Sequence, residues 1–434
     1  MVNKKSNMTI LFLILSFSIY AQSLQVFRNA EIYTAAGEHF ESGVLVVENG
    51  LINYVGDSRM FKLPADAEIY DLSGKVILPG LVDTHSHIGL DWGFDSDSPT
   101  HPDIRILDAI DPNHETFGRA RAGGITSINI MPGSGHLMSG QTIYLKPKKV
   151  KTINEMTFCD DLINDICGGM KMANGTNTIR KAPFPGTRGK SAAIVRELFY
   201  KALDYKNKLE AAKDDPEKMP ARNIELEPIV QILNKERTVH FHTHRADDIM
   251  TVLRLKEEFD FDVVLQHVSE GWKVADEIAE AGVPCSVIMI DSPGGKLEAV
   301  NLSYDTPRIL DEAGVDFGLH TDDWITDSRL FLRSGAFAVR AGLPKEKAIE
   351  SLTIAGARMM DLEDRIGSLE EGKDADFIIL SGDPFSVYTK IEQTWIEGKK
   401  VFDRKDEEDY KFAQGGYMVY PREAHIHHVD EGGR

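Results

Sequence analysis

"GLVDTHSHIGL", Gly80 to Leu90, overlaps the end of an apolar run, "KVILPGLV", that begins at Lys75. Such a run reads as a buried β-strand, yet it finishes in two imidazoles. In an extended strand residues i and i+2 face the same side, so His85 and His87 project together. Taken alone, the pair fits two accounts. Both histidines sit in a core and bond to neighbouring carbonyls, or both are nitrogen ligands of one metal ion. The second account needs further ligands from distant parts of the chain, so the remaining strands decide it.

Short strands with Gly, Asn and Asp turns come first: "SLQVFRNAEIYT" from Ser23, "GVLVVENG" from Gly43 and "LINYVGD" from Leu51. From Val76 onward, strand-like runs alternate with helical stretches. They are "ITSINIMPG", "QTIYLKP", "GGMKMANG", "TVHFHTH", "DVVLQHVSE", "PCSVIMI" and "DFGLHTDDW". With the opening run that makes about eight, the rhythm of a (β/α)8 barrel. After the helical "KEKAIESLTIAGARMM", short strands return in "RIGSLEEGKDADFIILSGDP" and "IEQTWIEGKKVFD" and complete the first sheet. The expected fold is α/β. A TIM-like (β/α)8 barrel spans residues 79–365, and a small discontinuous β-sandwich domain is built from residues 22–78 and 366–405. Residues 1–21 precede it and a C-terminal tail, 406–434, follows.

Composition narrows the function classes. A chain of 434 residues with 42% apolar and 27% charged residues has ample material for one large core. The formal net charge is −19 and the basic residues are dispersed, which argues against a nucleic-acid partner. Acidic runs such as "DEED", Asp406 to Asp409, read as solvated surface. At the N-terminus, Lys4 and Lys5 precede an apolar stretch from Ile10 to Tyr20 and then Ala21, a signal-peptide pattern. Cleavage after Ala21 would remove both lysines and leave a periplasmic or secreted chain. The stretch is shorter than the ~20 residues of a membrane span, so no stable membrane insertion is expected after cleavage. Cys159, Cys167 and Cys285 lack metal-type spacing, and the fold is not expected to depend on a disulfide. His425, His427 and His428 fall in the tail and read as exposed.

In such a barrel the chemistry gathers at the C-terminal ends of the strands. His85 and His87 end the first strand, Lys171 lies in the fourth, His242 in the fifth, His267 in the sixth and Asp322 at the eighth. His240 and His244 share the parity of His242. His320 shares that of Asp322, whereas Asp323 points the other way. Lys146, beside Lys148 and Lys149, reads as a solvated strand exit.

The ordered set "PGLVDTHSH", "VHFHTHRADD", "LQHVSE", "LHTDD" and "GSLEEGKDADFIIL" resembles the amidohydrolase superfamily. "PGSGHLMSGQ" and "GGMKMANGTNT" resemble its imidazolonepropionase-like members. The resemblance covers nearly the whole mature chain. It implies that His85, His87, His242, His267 and Asp322 ligate a divalent metal, zinc foremost, as one or two ions. It further implies that Lys171 is the lysine which, in two-metal members, takes up carbon dioxide to form a bridging carbamate; binding substrate and lining the barrel wall are the alternatives. Members of the superfamily often associate, so a homo-oligomer is expected.

A bound divalent ion lowers the pKa of water from 15.7 toward roughly 7. The expected reaction is therefore attack by metal-bound hydroxide on a small molecule's non-aromatic C–N bond, in an amide, cyclic amide or small peptide. Asp322 would accept the proton and deliver it to the departing nitrogen. His136, Gln141, His244 and Arg245 are the substrate-binding candidates. Two rival readings remain. One is a deaminase, although a glutamate commonly stands three residues after the strand-five histidine in those relatives and Arg245 stands there here. The other is a non-catalytic binding protein holding a structural metal.

Overall fold

The computed structural model describes residues 24–90, 95, 97–290, 296–323 and 325–414. The signal-like segment and the histidines of the tail lie outside the described residues.

Five strands open the chain: β1 (Gln25–Tyr33), β2 (His39–Glu48), β3 (Leu51–Asp57), β4 (Glu68–Asp71) and β5 (Val76–Pro79). The central set follows as β6 (Leu81–Ser86), β7 (Ile125–Ile130), β8 (Met138–Gln141), β9 (Ile143–Leu145) and β10 (Met170–Ala173). It continues with β11 (Val239–Thr243), β12 (Val263–His267), β13 (Cys285–Ile288) and β14 (Phe317–His320). The last strands are β15 (Phe377–Leu380), β16 (Ile391–Ile396) and β17 (Lys399–Asp403).

One sheet draws on both ends of the chain, in the order β17-β16-β15-β5-β1-β2-β3 with β4 beside β1. Apolar residues hold the two ends together. Phe27 meets Phe377 and Trp395 edge to face, with centroids 4.8 and 5.0 Å apart, and Phe377 stacks on Trp395. Such pairs contribute about 0.5–1.5 kcal/mol beyond their buried area. Ile77 of β5 packs in the same cluster and is fully buried. Ile77→Val should therefore cost about 0.5–1.5 kcal/mol in urea unfolding. An unchanged midpoint would show that its Cδ is not packed.

The central strands make a TIM-barrel-like arrangement. β10 to β14 pair in parallel, and β8 lies at the edge beside β10. These strands are buried on both faces, as parallel strands covered by helices are. β6, β7 and β9 form a second group. Hydrogen bonds join the groups on one side, where Asp322 N donates to His85 O (2.8 Å) and His87 N to Asp323 O (3.3 Å). On the other side Thr142 N donates to Gly169 O and Tyr144 N to Cys167 O. Gly80 lets the chain enter β6 against β7, because a Cβ there would stand 2.0 Å from Thr126 Oγ1.

Two strands depart from the all-parallel pattern. β9 is antiparallel to β7 and β8 antiparallel to β10. Only residues 131–137 separate β7 from β8, too few for the dozen or so that a parallel crossover needs. The chain turns back on itself instead.

Two charge expectations are overturned. Lys146 is not solvated: it is 1% exposed, with Nζ 2.7 Å from Asp374 and 2.8 Å from Asp376. It lies at the end of β9 and faces the strand-to-turn segments of the terminal sheet. Nor is "DEED" merely solvated surface. Asp406 caps a helix over Glu407–Ala413, and buried Asp409 pairs with Lys149 at 2.6 Å. That helix packs against the one at Glu115–Ala122, where a Cβ on Gly118 would stand 2.5 Å from the Phe412 ring. The expected tail is therefore structured through Ala413. Cys159 and Cys167 form a disulfide with Cα atoms 5.3 Å apart, and Cys285 is a buried thiol.

Candidate metal centre

Strand register sets which side chains meet. Lys171 is level with His240, Ala173 with His242, His242 with Gln266 and Thr243 with His267. Polar side chains near the C-terminal ends of β10, β11 and β12 are thus stepped toward one mouth. His85 and His87 arrive from β6, and Asp322 from just beyond β14. The backbone there is bent: φ is +73° at His267, +52° at Val268 and +50° at Asp322. Non-glycine residues in this left-handed region cost about 1 kcal/mol or more each, and such costs concentrate at functional sites.

Asp322 is the hub. Its Oδ1 lies 3.1 Å from His87 Nε2 and 3.5 Å from His85 Nε2, and its Oδ2 lies 3.9 Å from His267 Nδ1. Outer partners orient the two leading imidazoles. His87 Nδ1 donates to the Met131 carbonyl (2.8 Å), and His85 Nδ1 to Gln266 Oε1 (3.2 Å). A carbonyl only accepts, so the proton of neutral His87 is on Nδ1 and the lone pair of Nε2 faces a carboxylate oxygen. Two acceptors 3.1 Å apart call for a proton or a cation between them.

The donor set fits a divalent metal. His242 Nδ1 and His267 Nε2 are buried and have no hydrogen-bond partner among the described residues. Their rings stand with centroids 4.3 Å apart, and His85 and His267 lie at 4.6 Å. His85, His87 and Asp322 form one group whose ligand atoms lie within 4.8 Å of one another, and His242, His244 and His267 form another. Burial holds His85, His242 and His267 well below the usual histidine range, so they are neutral and their nitrogens are able to ligate. Imidazole and carboxylate together suit zinc and other first-row ions.

Lys171 is wholly buried, and that burial brings its ammonium down to about 7. Nζ lies 2.9 Å from His85 Nε2 and 3.1 Å from Met131 Sδ. The amine thus occupies the coordinating nitrogen of His85.

The substrate-binding candidates divide. His244 stacks on His267 with centroids 4.7 Å apart, while its Nδ1 bonds Ser269 Oγ at 2.7 Å. His136 is buried against the rings of His101 and Phe184, and burial pushes it down to about 3. Gln141 and Arg245 are not brought to the cluster. Because β8 runs backward, Gln141 is level with Met170, at the far end of β10, and donates to Pro102 O. It lines a separate cavity of about 300 Å³ beside Arg105 and Arg237. Arg245 is turned outward and pairs with Asp247 through two 2.9 Å bonds.

Other residues around the centre escaped the sequence reading. His320 Nε2 lies 3.2 Å from His267 Nδ1; its parity with Asp322 was the available clue. Glu298, from a short turn at Leu297–Ala299, reaches within 3.6 Å of His242 Nε2. No local pattern marks it.

The description "Amidohydrolase family" belongs to the family model that matches residues 210–401. The solved amidohydrolase of Thermotoga maritima MSB8 is 33% identical with a TM-score of 0.81, over 88% of this chain and 100% of that one. Amidohydrolase tasK of Hapsidospora irregularis is 26% identical over 83% of this chain, which spans only 40% of that longer protein. An imidazolonepropionase of Rhizobium rhizogenes is 23% identical, covering 82% of this chain and 91% of its own. With 33% identity along the full length of a solved amidohydrolase, and histidines and an aspartate gathered at one end of the central strands, this chain belongs to the amidohydrolase superfamily.

Proposed function

We propose that this protein is a metal-dependent hydrolase of a non-aromatic C–N bond in a small amide, cyclic amide or peptide-like substrate. The observation that carries this reading is the approach of Asp322 Oδ1 to two imidazole nitrogens, at 3.1 and 3.5 Å, within a buried cluster. His85, His87, His242, His267 and Asp322 would hold zinc, which when bound supplies an acidified water and polarises the carbonyl. Asp322 takes the proton of the attacking water and returns it to the leaving nitrogen. The surrounding burial excludes bulk water and strengthens each of these interactions. His244, held by Ser269 and stacked on His267, is the pocket histidine proposed to meet substrate. In this reading the central strands close as a (β/α)8 barrel, and the terminal sheet forms a small β-sandwich from residues 22–78 and 366–405.

Lys171 is proposed to act as a carbamate. Its amine adds to carbon dioxide, an N–C bond forms and one proton is released, leaving an anionic group with two ligand oxygens. Depression of its ammonium to about 7 supplies the free amine such addition requires. Carbamylation also frees His85 Nε2 from a competing donor. Metal-free protein should therefore take up zinc at least ~10-fold more weakly in buffer stripped of carbon dioxide, with recovery on adding bicarbonate, the scale of losing a metal-site partner. Equal uptake in both buffers would remove the carbamate.

Deamination is the weaker reading, because Arg245 stands where the glutamate of deaminases is expected and its guanidinium is held by Asp247. Export is supported by the N-terminal pattern together with the Cys159–Cys167 disulfide, which suits an oxidising compartment. A mature N-terminus at Gln22 would establish it. The function is tested by zinc content and by hydrolysis of a panel of amides, cyclic amides and dipeptides with and without chelator. Chelator-sensitive release of an amine is expected, and a chain that binds no divalent ion would overturn the proposal.

A further inference from the structure

Each ligand imidazole needs its proton on the nitrogen away from the ion, and an outer acceptor normally holds it there. His85 has Gln266 Oε1 in this role and His87 has the Met131 carbonyl. For His242 the partnerless nitrogen is Nδ1, so the proton belongs on Nε2. Two groups compete for Nε2. Asn177 Nδ2 lies 3.5 Å away, and Glu298 Oε1 lies 3.6 Å away. The first is a donor and would drive the proton onto Nδ1, closing that nitrogen to a metal. The second is an acceptor and would leave Nδ1 open.

Charge and placement favour the carboxylate. Asn177 Nδ2 already donates to Ser134 Oγ at 2.6 Å. Glu298 is 2% exposed, and its Oε1 has no hydrogen-bond partner among the described residues. Its other oxygen is anchored by Thr176 N at 2.7 Å, against a Gly175 whose Cβ would stand 2.4 Å from it. A buried carboxylate oxygen without a partner is costly, and a bond from N–H to an ionised acceptor is roughly twice as strong as one between neutral groups.

We propose that Glu298 is a positioning residue of the metal centre: it holds the Nε2–H of His242 and so presents Nδ1 to the ion. This rests on the metal-dependent reading above. When an ion draws density from Nδ1, the Nε2–H becomes a better donor, and the gap to Glu298 should shorten. The carboxylate then supplies charge to the centre without entering the ligand set. No motif predicts this, since Glu298 comes from the segment after β13 and His242 from β11.

Glu298→Gln is the informative change. Its amide oxygen can keep the bond to Thr176 N, while its NH2 faces His242 Nε2 as a donor and reverses the tautomer preference. Zinc affinity of the full chain is measured by competition with a chromophoric chelator, alongside zinc stoichiometry and the thermal midpoint of the metal-free protein. The expected result is affinity weakened ~10–100-fold at one ion's site, with the metal-free midpoint unchanged. Wild-type affinity and stoichiometry in the variant would overturn the role of Glu298 while leaving the hydrolase reading intact. An equal fall in the metal-free midpoint would assign Glu298 to folding and also overturn it. Wild-type protein that takes up no zinc would overturn both.

Discussion

Asn in place of Asp322 should lower kcat by ~10²–10⁴-fold while zinc stays bound near wild-type stoichiometry. The expected size follows from loss of the general acid–base group alone, about 3–5 kcal/mol in the barrier. An amide keeps one oxygen able to approach the ion but cannot take up the proton of the attacking water. Backbone effects should be small. Asp322 sits at φ +50°, a region that Asn tolerates as readily as Asp, and its N–H bond to His85 O does not involve the side chain. In the proposed reading His85, His87, His242 and His267 would still hold the ion. Measuring kcat on the best substrate of the panel, with metal content beside it, decides the matter. Full activity in a zinc-loaded variant would remove Asp322 from the chemistry.

Lys146→Met should destabilise the fold by about 3–5 kcal/mol, the cost of leaving buried charge without its partner. Burial works against the Lys146 ammonium, but the carboxylates of Asp376 and Asp374 outweigh it and hold its pKa above the usual lysine value. Methionine matches the stem and removes only the charge. Arg365, 3.0 Å from Asp374, compensates one carboxylate. Asp376 keeps its backbone bond from Glu397 N and loses its cation. Because Lys146 directly follows β9 and its partners belong to the chain's return to the terminal sheet, the change should loosen that junction rather than the metal centre. Urea unfolding should show a lower midpoint, with zinc content unaltered in the folded protein. A loss under about 1 kcal/mol would mean the pair is solvated enough to behave as a surface bridge.

How much was legible depended on whether a residue's fate was local. His85 and His87 were readable because strand pleating alone puts them on one face. The parity of His240, His242 and His244 was readable for the same reason, though parity could not choose among them. His240 turns out to be bonded among the central strands, its Nδ1 to Gln266 and its Nε2 to Tyr144. Gln141 was misplaced because strand direction is not written in a strand's own residues. It follows from the short connection at 131–137, and reversal carries Gln141 to the wrong end. Lys146 was misjudged from its lysine neighbours, since the acids that bury it arrive more than two hundred residues later. The acidic run at 406–409 failed in the same way.

Alternation, spacing and motif order by themselves determined a strand-rich, barrel-like α/β chain, a sheet shared by both ends, and the histidines and aspartate aimed at one mouth. The strands and the pairing of His85 with His87 are consequences of periodicity, which each short segment carries alone, whereas the choice of His242, His267 and Asp322 came from the resemblance of the ordered motifs to a family. Tertiary structure decided the backward strand, the burial of Lys146, and the approach of Glu298 to His242. Those depend on which distant segments come to lie side by side, where desolvation and the nearest charge settle what a polar side chain does.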